Sequence, residues 1–154
     1  MPRGVDTEPK KNLYVYEDSG VYLLCLSDLE ELKNNFLLES HMKDLEREYS
    51  SEVHGFGAFV WGDSGGNLRY FTPWHGREED YVTGSVQQYL TPLVYQRYGA
   101  KEQKWQQWSR SAGTLSSSYL NQKVTLTGRC SMENEFELAA LCKLIREFKS
   151  DSDC

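Results

Sequence analysis

The chain has 154 residues, the length of one ordinary domain, and a core of that size needs neither disulfides nor metal to fold. Hydrophobic residues make up 39% and charged residues 26%, a balance that excludes a disordered chain. With 17 Lys and Arg against 23 Asp and Glu, the net charge of −6 argues against a general duplex-DNA or RNA binder, because phosphate-driven affinity needs a basic surface.

Residues 1–11 are polar, carry Pro2 and Pro9, and read as a mobile tail. No apolar run follows Met1-Pro2-Arg3-Gly4, so no signal peptide is expected. The longest apolar block, Val21 to Leu26, is far too short to span a bilayer. The expected location is therefore intracellular, cytoplasmic with the nucleus also open. Cys25, Cys130, Cys142 and Cys154 show no Cys-x-x-Cys spacing and read as free thiols, so neither a metal nor another cofactor is expected.

In chain order, Leu13 to Tyr16 and Val21 to Leu26 read as two strands of a hairpin turning at Asp18-Ser19-Gly20. Ser27 with Glu30 three residues on forms a capping-box pattern, predicting a helix from Asp28 to about Tyr49. Its apolar positions change side: Leu29, Leu32 and Phe36 lie opposite Leu38, Met42, Leu45 and Tyr49. The helix is either buried on two sides or broken near Leu37 to His41. Phe56 to Trp61 and Leu68 to Trp74 flank a Gly-rich turn and predict a second hairpin. Trp74 to Asp80 reads as a charged loop.

Val86, Tyr89, Leu90, Leu93 and Val94 recur at helical spacing, with Ser85 as the expected cap, Gly99 as the stop, and Pro92 predicting a kink or a late start. Ala100 to Ser118 is polar apart from Trp105 and Trp108 and carries no clear period. Lys123 to Cys130 alternates and predicts a strand. A last helix is expected after Ser131, with Leu138, Leu141, Cys142, Ile145 and Phe148 on its apolar arc. The order ββαββαβα predicts an α+β domain over residues 12–149. It would hold one mostly antiparallel, hairpin-rich sheet of about five strands with about three helices on one face. Residues 150–154 form an acidic tail.

Gly62-Asp63-Ser64-Gly65-Gly66 resembles the segment around the nucleophilic serine of trypsin-like proteases. That resemblance implies Ser64 as nucleophile with a histidine base, His41 or His54, and a buried carboxylate. Asn67 stands where that family has proline, and the plainer reading is a turn built from Asp, Ser and Gly. Leu13-Tyr14-Val15-Tyr16 and His54-Gly55-Phe56-Gly57-Ala58-Phe59-Val60-Trp61 resemble the signature strands of RNA-recognition domains. That resemblance implies bases stacked on Tyr14, Phe56 and Phe59. Ala58 is an extra residue, however, and period-two alternation sends Phe56 and Phe59 to opposite faces unless a bulge intervenes.

Two further stretches carry chemistry. His75, in Trp74-His75-Gly76-Arg77-Glu78-Glu79-Asp80, has three carboxylates near it and could act as a general base, although such loops are more often solvated connectors. Tyr95, Arg97, Tyr98, Trp105, Trp108 and Arg110 are the residue types that dominate binding hot spots. With no catalytic constellation apparent, the sequence predicts a non-catalytic protein-interaction module, such as an adaptor, a complex subunit or an inhibitor. Its expected contacts are Tyr95, Arg97, Tyr98, Trp105, Trp108 and Arg110, together with Trp74, His75 and Arg77. The expected partner is another protein, with single-stranded nucleic acid and a small enzyme based on His75 as alternatives.

Overall fold

The computed structural model describes residues 12–34, 44, 47, 53–72, 77–109 and 111–129. In chain order the elements are β1 (Leu13–Tyr16), a 3-10 turn (Glu17–Ser19), β2 (Val21–Cys25), α1 (Leu29–Asn34), β3 (Gly55–Gly62), β4 (Gly65–Thr72), β5 (Arg77–Glu79), α2 (Gln87–Tyr98), β6 (Glu102–Gln107), β7 (Gly113–Leu120) and β8 (Lys123–Gly128). The strands form one 8-stranded sheet in the order β1-β2-β3-β4-β6-β7-β8, with β5 paired to β4 off that path. Two seams are parallel, β2 on β3 and β4 on β6; the other pairs are antiparallel.

This architecture corrects the expectation of about five mostly antiparallel strands under about three helices. Two strands, β6 and β7, lie in the stretch that showed no apolar period. Their inward positions hold Gln103, Gln107 and Ser117 beside Trp105 and Leu115, so burial does not follow hydrophobicity there. The expected charged loop contributes the short strand β5. The expected helix after Ser131, and whether the first helix is continuous to residue 49, fall outside the described residues.

The sheet curls around α2. On one side the Tyr16 ring of β1 lies 4.7 Å from Tyr89, and Arg97 donates to the Tyr14 hydroxyl. On the other side Tyr119 of β7 meets Tyr95 at 5.2 Å. Between them Val86, Leu90, Leu93 and Val94 pack with Val21, Leu23, Phe59, Leu68, Tyr70, Trp105 and Leu115 from five strands. A helix enclosed in this way carries buried residues round more of its circumference than a surface helix does, which is why Gln87 and Thr91 are buried too. Ser85 does not cap it: the N-cap is Val86, with no side-chain bond, while Gly99 ends it in the left-handed conformation (φ 71°).

Two close approaches let the sheet bend. A Cβ on Gly66 would come within 2.3 Å of the Trp105 ring, and one on Gly57 would meet Leu23 at 2.7 Å and Tyr70 at 3.2 Å. The large inward rings thus sit over bare backbone of neighbouring strands. The opposite face of β2 to β4 is also apolar: Tyr22, Phe56, Ala58 and Phe71 cluster with Leu32 of α1. The β3–β4 hairpin turns at Asp63-Ser64, because Gly62 pairs with Gly65. Among the described residues no helix is long and apolar enough to cross a membrane.

Gly66→Ala should push the buried Trp105 ring out of its seat and destabilise the protein by about 2 kcal/mol, the usual scale of an overpacked core. Urea unfolding measures this, and an unchanged midpoint would show that the ring yields freely. Burial, with help from neighbouring charges, pushes the phenols of Tyr16 and Tyr70 up to about 12. Their native pKa values lie above the unfolded value near 10, so their contribution is complete below pH 10 and is lost as pH rises toward 12. Alkaline unfolding should therefore begin above pH 10, and Tyr70→Phe should make it shallower. Ultraviolet tyrosinate absorbance and circular dichroism, followed together, check both.

Candidate functional site

The segment from β5 into α2 gathers the most specific polar geometry in the molecule. β5 leaves the sheet at Glu79, and the chain passes through Asp80-Tyr81-Val82-Thr83-Gly84-Ser85 before α2 begins. Asp80 is fastened to β4 through its backbone, donating its N–H to Tyr70 O at 2.9 Å. Its carboxylate accepts the Tyr81 N–H on Oδ1 at 2.9 Å and the Thr83 hydroxyl on Oδ2 at 2.8 Å. The side chain is thereby held in one orientation and keeps lone pairs for a further contact.

Below the loop lies Gln107 at the end of β6, 1% exposed. Its Oε1 accepts the Thr83 N–H at 2.8 Å, and its Nε2 donates to Asp80 O at 2.9 Å and Thr83 Oγ1 at 3.0 Å. Ser109 adds a bond from its hydroxyl to Tyr81 O at 2.9 Å. On the other side, Glu79 pairs with Arg69 of β4 through both carboxylate oxygens, at 2.8 and 3.1 Å. Arg69 also donates to the carbonyls of Leu32 and Lys33 at the end of α1. Glu79 is thus structural, while Asp80 is the carboxylate presented at the helix start.

Helix α2 opens at this loop. Among the bonds between described residues, the N–H groups of Gly84, Ser85 and Val86 are not spent, whereas Gln87 N bonds Gly84 O at 3.1 Å. Unspent amides leading into a helix lie at the positive end of its dipole and favour an anion. Tyr81 and Val82, 43% and 41% exposed, flank the loop as an apolar rim. Charge on Asp80 adds to burial in raising the Tyr70 phenol, so that phenol also belongs to this end of the sheet. The arrangement joins an oriented carboxylate, a phenol that stays protonated at neutral pH, and anion-favouring amides. Deeper in, Thr91 lies 2.8 Å from Gln87 Oε1 and 2.9 Å from Ser117 Oγ, and Gln87 Nε2 is buried without a hydrogen-bond partner among the described residues.

The residues singled out from the sequence do not meet in one place. Trp105 is a core ring, 2% exposed, with its indole N–H 3.3 Å from Gln103 Oε1 and from Ser117 Oγ. Trp108 points to the other face, donating to Asn67 at 2.9 Å under the Lys33 ammonium, 4.2 Å from its ring. Tyr95 meets Tyr119 in a tilted ring contact, while Arg97 and Tyr98 lie at the far end of α2, where Tyr98 packs on Trp61 at 6.2 Å. Arg77 faces Thr72 across the β4–β5 pair. Trp74, His75 and Arg110 fall outside the described residues, as do His41 and Cys130, Cys142 and Cys154. Cys25 is a buried free thiol.

The described residues support neither family resemblance. His54 and Ser64 stand at opposite ends of the eight-residue strand β3, about 26 Å apart, so this histidine cannot serve as a base for that serine. Phe56 and Phe59 are 2% and 0% exposed on opposite faces, so neither offers a ring for a base to stack on. Among the described residues no cluster of His, Cys, Asp and Glu has the form of a metal site. Sequence reasoning missed the site because it grouped Asp80 with His75. The available signal was Thr83-Gly84-Ser85, small residues opening a helical stripe shortly after a carboxylate.

Glu79→Ala leaves the half-buried Arg69 guanidinium with backbone hydrogen-bond partners only and should cost about 2 kcal/mol, the scale of a hydrogen bond to a charged group. Urea unfolding checks the stability, and hydrogen exchange should quicken at the Asp80 amide. A loss below about 0.5 kcal/mol would mean the pair behaves as a surface contact.

No protein-family model matches the chain. It is 38% identical over 78 residues to a phenazine biosynthesis-like domain-containing protein of Rattus norvegicus, covering 46% of this chain and 27% of the relative. It is 30% identical over 124 residues to the protein of the same name from Bos taurus, covering 73% of this chain and 43% of that one. The chain thus spans less than half the length of the curated relatives it matches. Among solved structures, a phenazine biosynthesis PhzC/PhzF protein from Clostridium difficile superposes with a TM-score of 0.58 at 21% identity, over 79% of this chain and 47% of that one. A PhzF-family protein from Enterococcus faecalis gives 0.57 at 22%, over 78% and 46%. These similarities overturn the expectation of a non-catalytic module, adaptor or complex subunit: the relatives are named for phenazine biosynthesis. The fold is that of these PhzF proteins over most of the described chain.

Proposed function

We propose that this chain is the Asp80-bearing lobe of an isomerase-type enzyme of the phenazine biosynthesis-like kind, acting on a small anionic substrate. The observation that carries the proposal is the held Asp80 carboxylate, bonded to Thr83 and Tyr81 in the loop that opens α2. An anionic group of the substrate, most simply a carboxylate, sits on the amides of Gly84 to Val86. Asp80 takes a proton from the carbon beside it: the C–H bond breaks, an O–H bond forms on Asp80, and the electron pair moves into the substrate's π system. Returning the proton to a different carbon completes an isomerisation with no net gain or loss of atoms or electrons. Tyr81 and Val82 cover the apolar part of the substrate and exclude water.

Support comes from two independent directions: the relatives' names, and a loop whose hydrogen bonds orient a carboxylate beside unspent helix amides. The chain covers less than half of its relatives, so the test uses the longest natural form of the protein. Incubated in deuterium oxide with pools of small unsaturated carboxylic acids, it should introduce solvent deuterium into at least one of them, read by mass spectrometry. Asp80→Asn should lower that exchange by about a hundredfold or more, the scale of removing a general base. Asp63→Asn, in the distant β3–β4 turn, should leave it unchanged. Exchange that survives Asp80→Asn intact would rule out this site.

A further inference from the structure

Gln107 does more in this loop than fill buried space. It lies on β6, five residues from the element's start and 24 residues from Thr83 in sequence, yet it meets the loop through three hydrogen bonds. Its carbonyl takes the Thr83 N–H, and the two hydrogens of its amide go to Asp80 O and Thr83 Oγ1. A hydroxyl has one hydrogen. Because Thr83 Oγ1 accepts from Gln107, its own hydrogen is left to point at Asp80 Oδ2, 2.8 Å away. The hydrogen bonds run in one direction, from the Gln107 amide through the Thr83 hydroxyl to the Asp80 carboxylate, which has no hydrogen of its own to give. The 1% exposure of Gln107 excludes competition from bulk water.

We infer that Gln107 is a positioning residue: it sets the Thr83 hydroxyl as a donor to Asp80 Oδ2, which together with the Tyr81 N–H on Oδ1 holds the carboxylate in one orientation. This rests on the proposed role of Asp80. It predicts that a carboxylate in place of the amide reverses the relay. In Gln107→Glu the size and one acceptor are kept, but there is no hydrogen to donate. The Thr83 hydroxyl then turns to the new carboxylate and no longer donates to Asp80 Oδ2. Thr83→Val should remove the same bond by removing the hydroxyl itself.

The test uses the full chain labelled with ¹³C and ¹⁵N at neutral pH. Gln107→Glu and Thr83→Val should each displace the Asp80 carboxyl carbon resonance in the same direction. The double variant should displace it no further, since groups acting as one unit are not additive. Thr83→Ser, which restores a hydroxyl, should recover the wild-type resonance, a rescue that loop packing alone would not predict. An Asp80 resonance that Gln107→Glu leaves in place, or displacements that simply add, would overturn the role. If Gln107→Glu fails to fold, Thr83→Val and its rescue by Thr83→Ser decide, and a serine that does not rescue overturns it equally. Malonate titrated into the wild-type chain probes the site reading separately through the amide resonances of Gly84 to Val86. Amides that malonate does not move would sink the anion-binding part of the proposed function, while the Asp80 resonance still judges Gln107.

Discussion

Trp105 lies across the bare backbone of Gly66, and the curvature of the sheet depends on that contact. A side chain on Gly66 would hold β6 away from β4, opening the parallel seam between them. With the ring seated, Trp105 reaches Phe59 and Trp61 of β3 at 6.4 and 5.4 Å, so one residue of β6 ties three strands to the interior. Tyr70 does the same over Gly57, one strand further on. The sheet can then close far enough around α2 for β1 and β7 both to touch it.

Closing a sheet on a helix leaves little room for unsatisfied polar groups, and the interior answers this with amides and hydroxyls in matched pairs. Gln103 donates to the carbonyl of Thr91 within α2 and to that of Ala100 just beyond it, and Ser117 Oγ lies 2.9 Å from Thr91 Oγ1 and 3.3 Å from the Trp105 indole nitrogen. Gln107 is the third such side chain on the same strand, and it serves the loop at the other end of the helix. One strand of alternating glutamines and tryptophan thus secures both ends of α2. The site loop is held from inside the protein, and Tyr81 and Val82 form its exposed rim.

How much of this was legible in the sequence follows from how each element declares itself. The β3–β4 hairpin announces itself through aromatic runs around Gly62-Asp63-Ser64-Gly65-Gly66, and α2 through its stripe and Gly99, because turn geometry and helical period are local properties. β6 and β7 stayed hidden: Gln103, Gln107 and Ser117 are buried by pairing with partners far along the chain, and no local pattern records those partners. Glu79 and Asp80 are adjacent carboxylates, yet one is neutralised by Arg69 and the other faces the start of α2. Only the tertiary position of Arg69, ten residues earlier in sequence, separates their roles. Trp105 and Trp108, three apart in sequence, end on opposite faces because a strand alternates and the chain leaves β6 between them.

The two parallel seams carry a kinetic consequence. Antiparallel neighbours such as β3 and β4, or β7 and β8, are joined by tight turns and can pair as soon as each hairpin forms. The partners in β2–β3 and β4–β6 are separated by the stretches 26–54 and 73–101, so their closure carries the larger loop entropy. The hairpins should therefore assemble first and the seams zip last, with α2 as the surface on which they meet. Mutations at Leu23 or Leu68, inward residues of the two seams, should then mainly speed unfolding, whereas mutations within the β3–β4 turn should slow folding. Stopped-flow rates showing the reverse pattern would place a parallel seam in the nucleus instead.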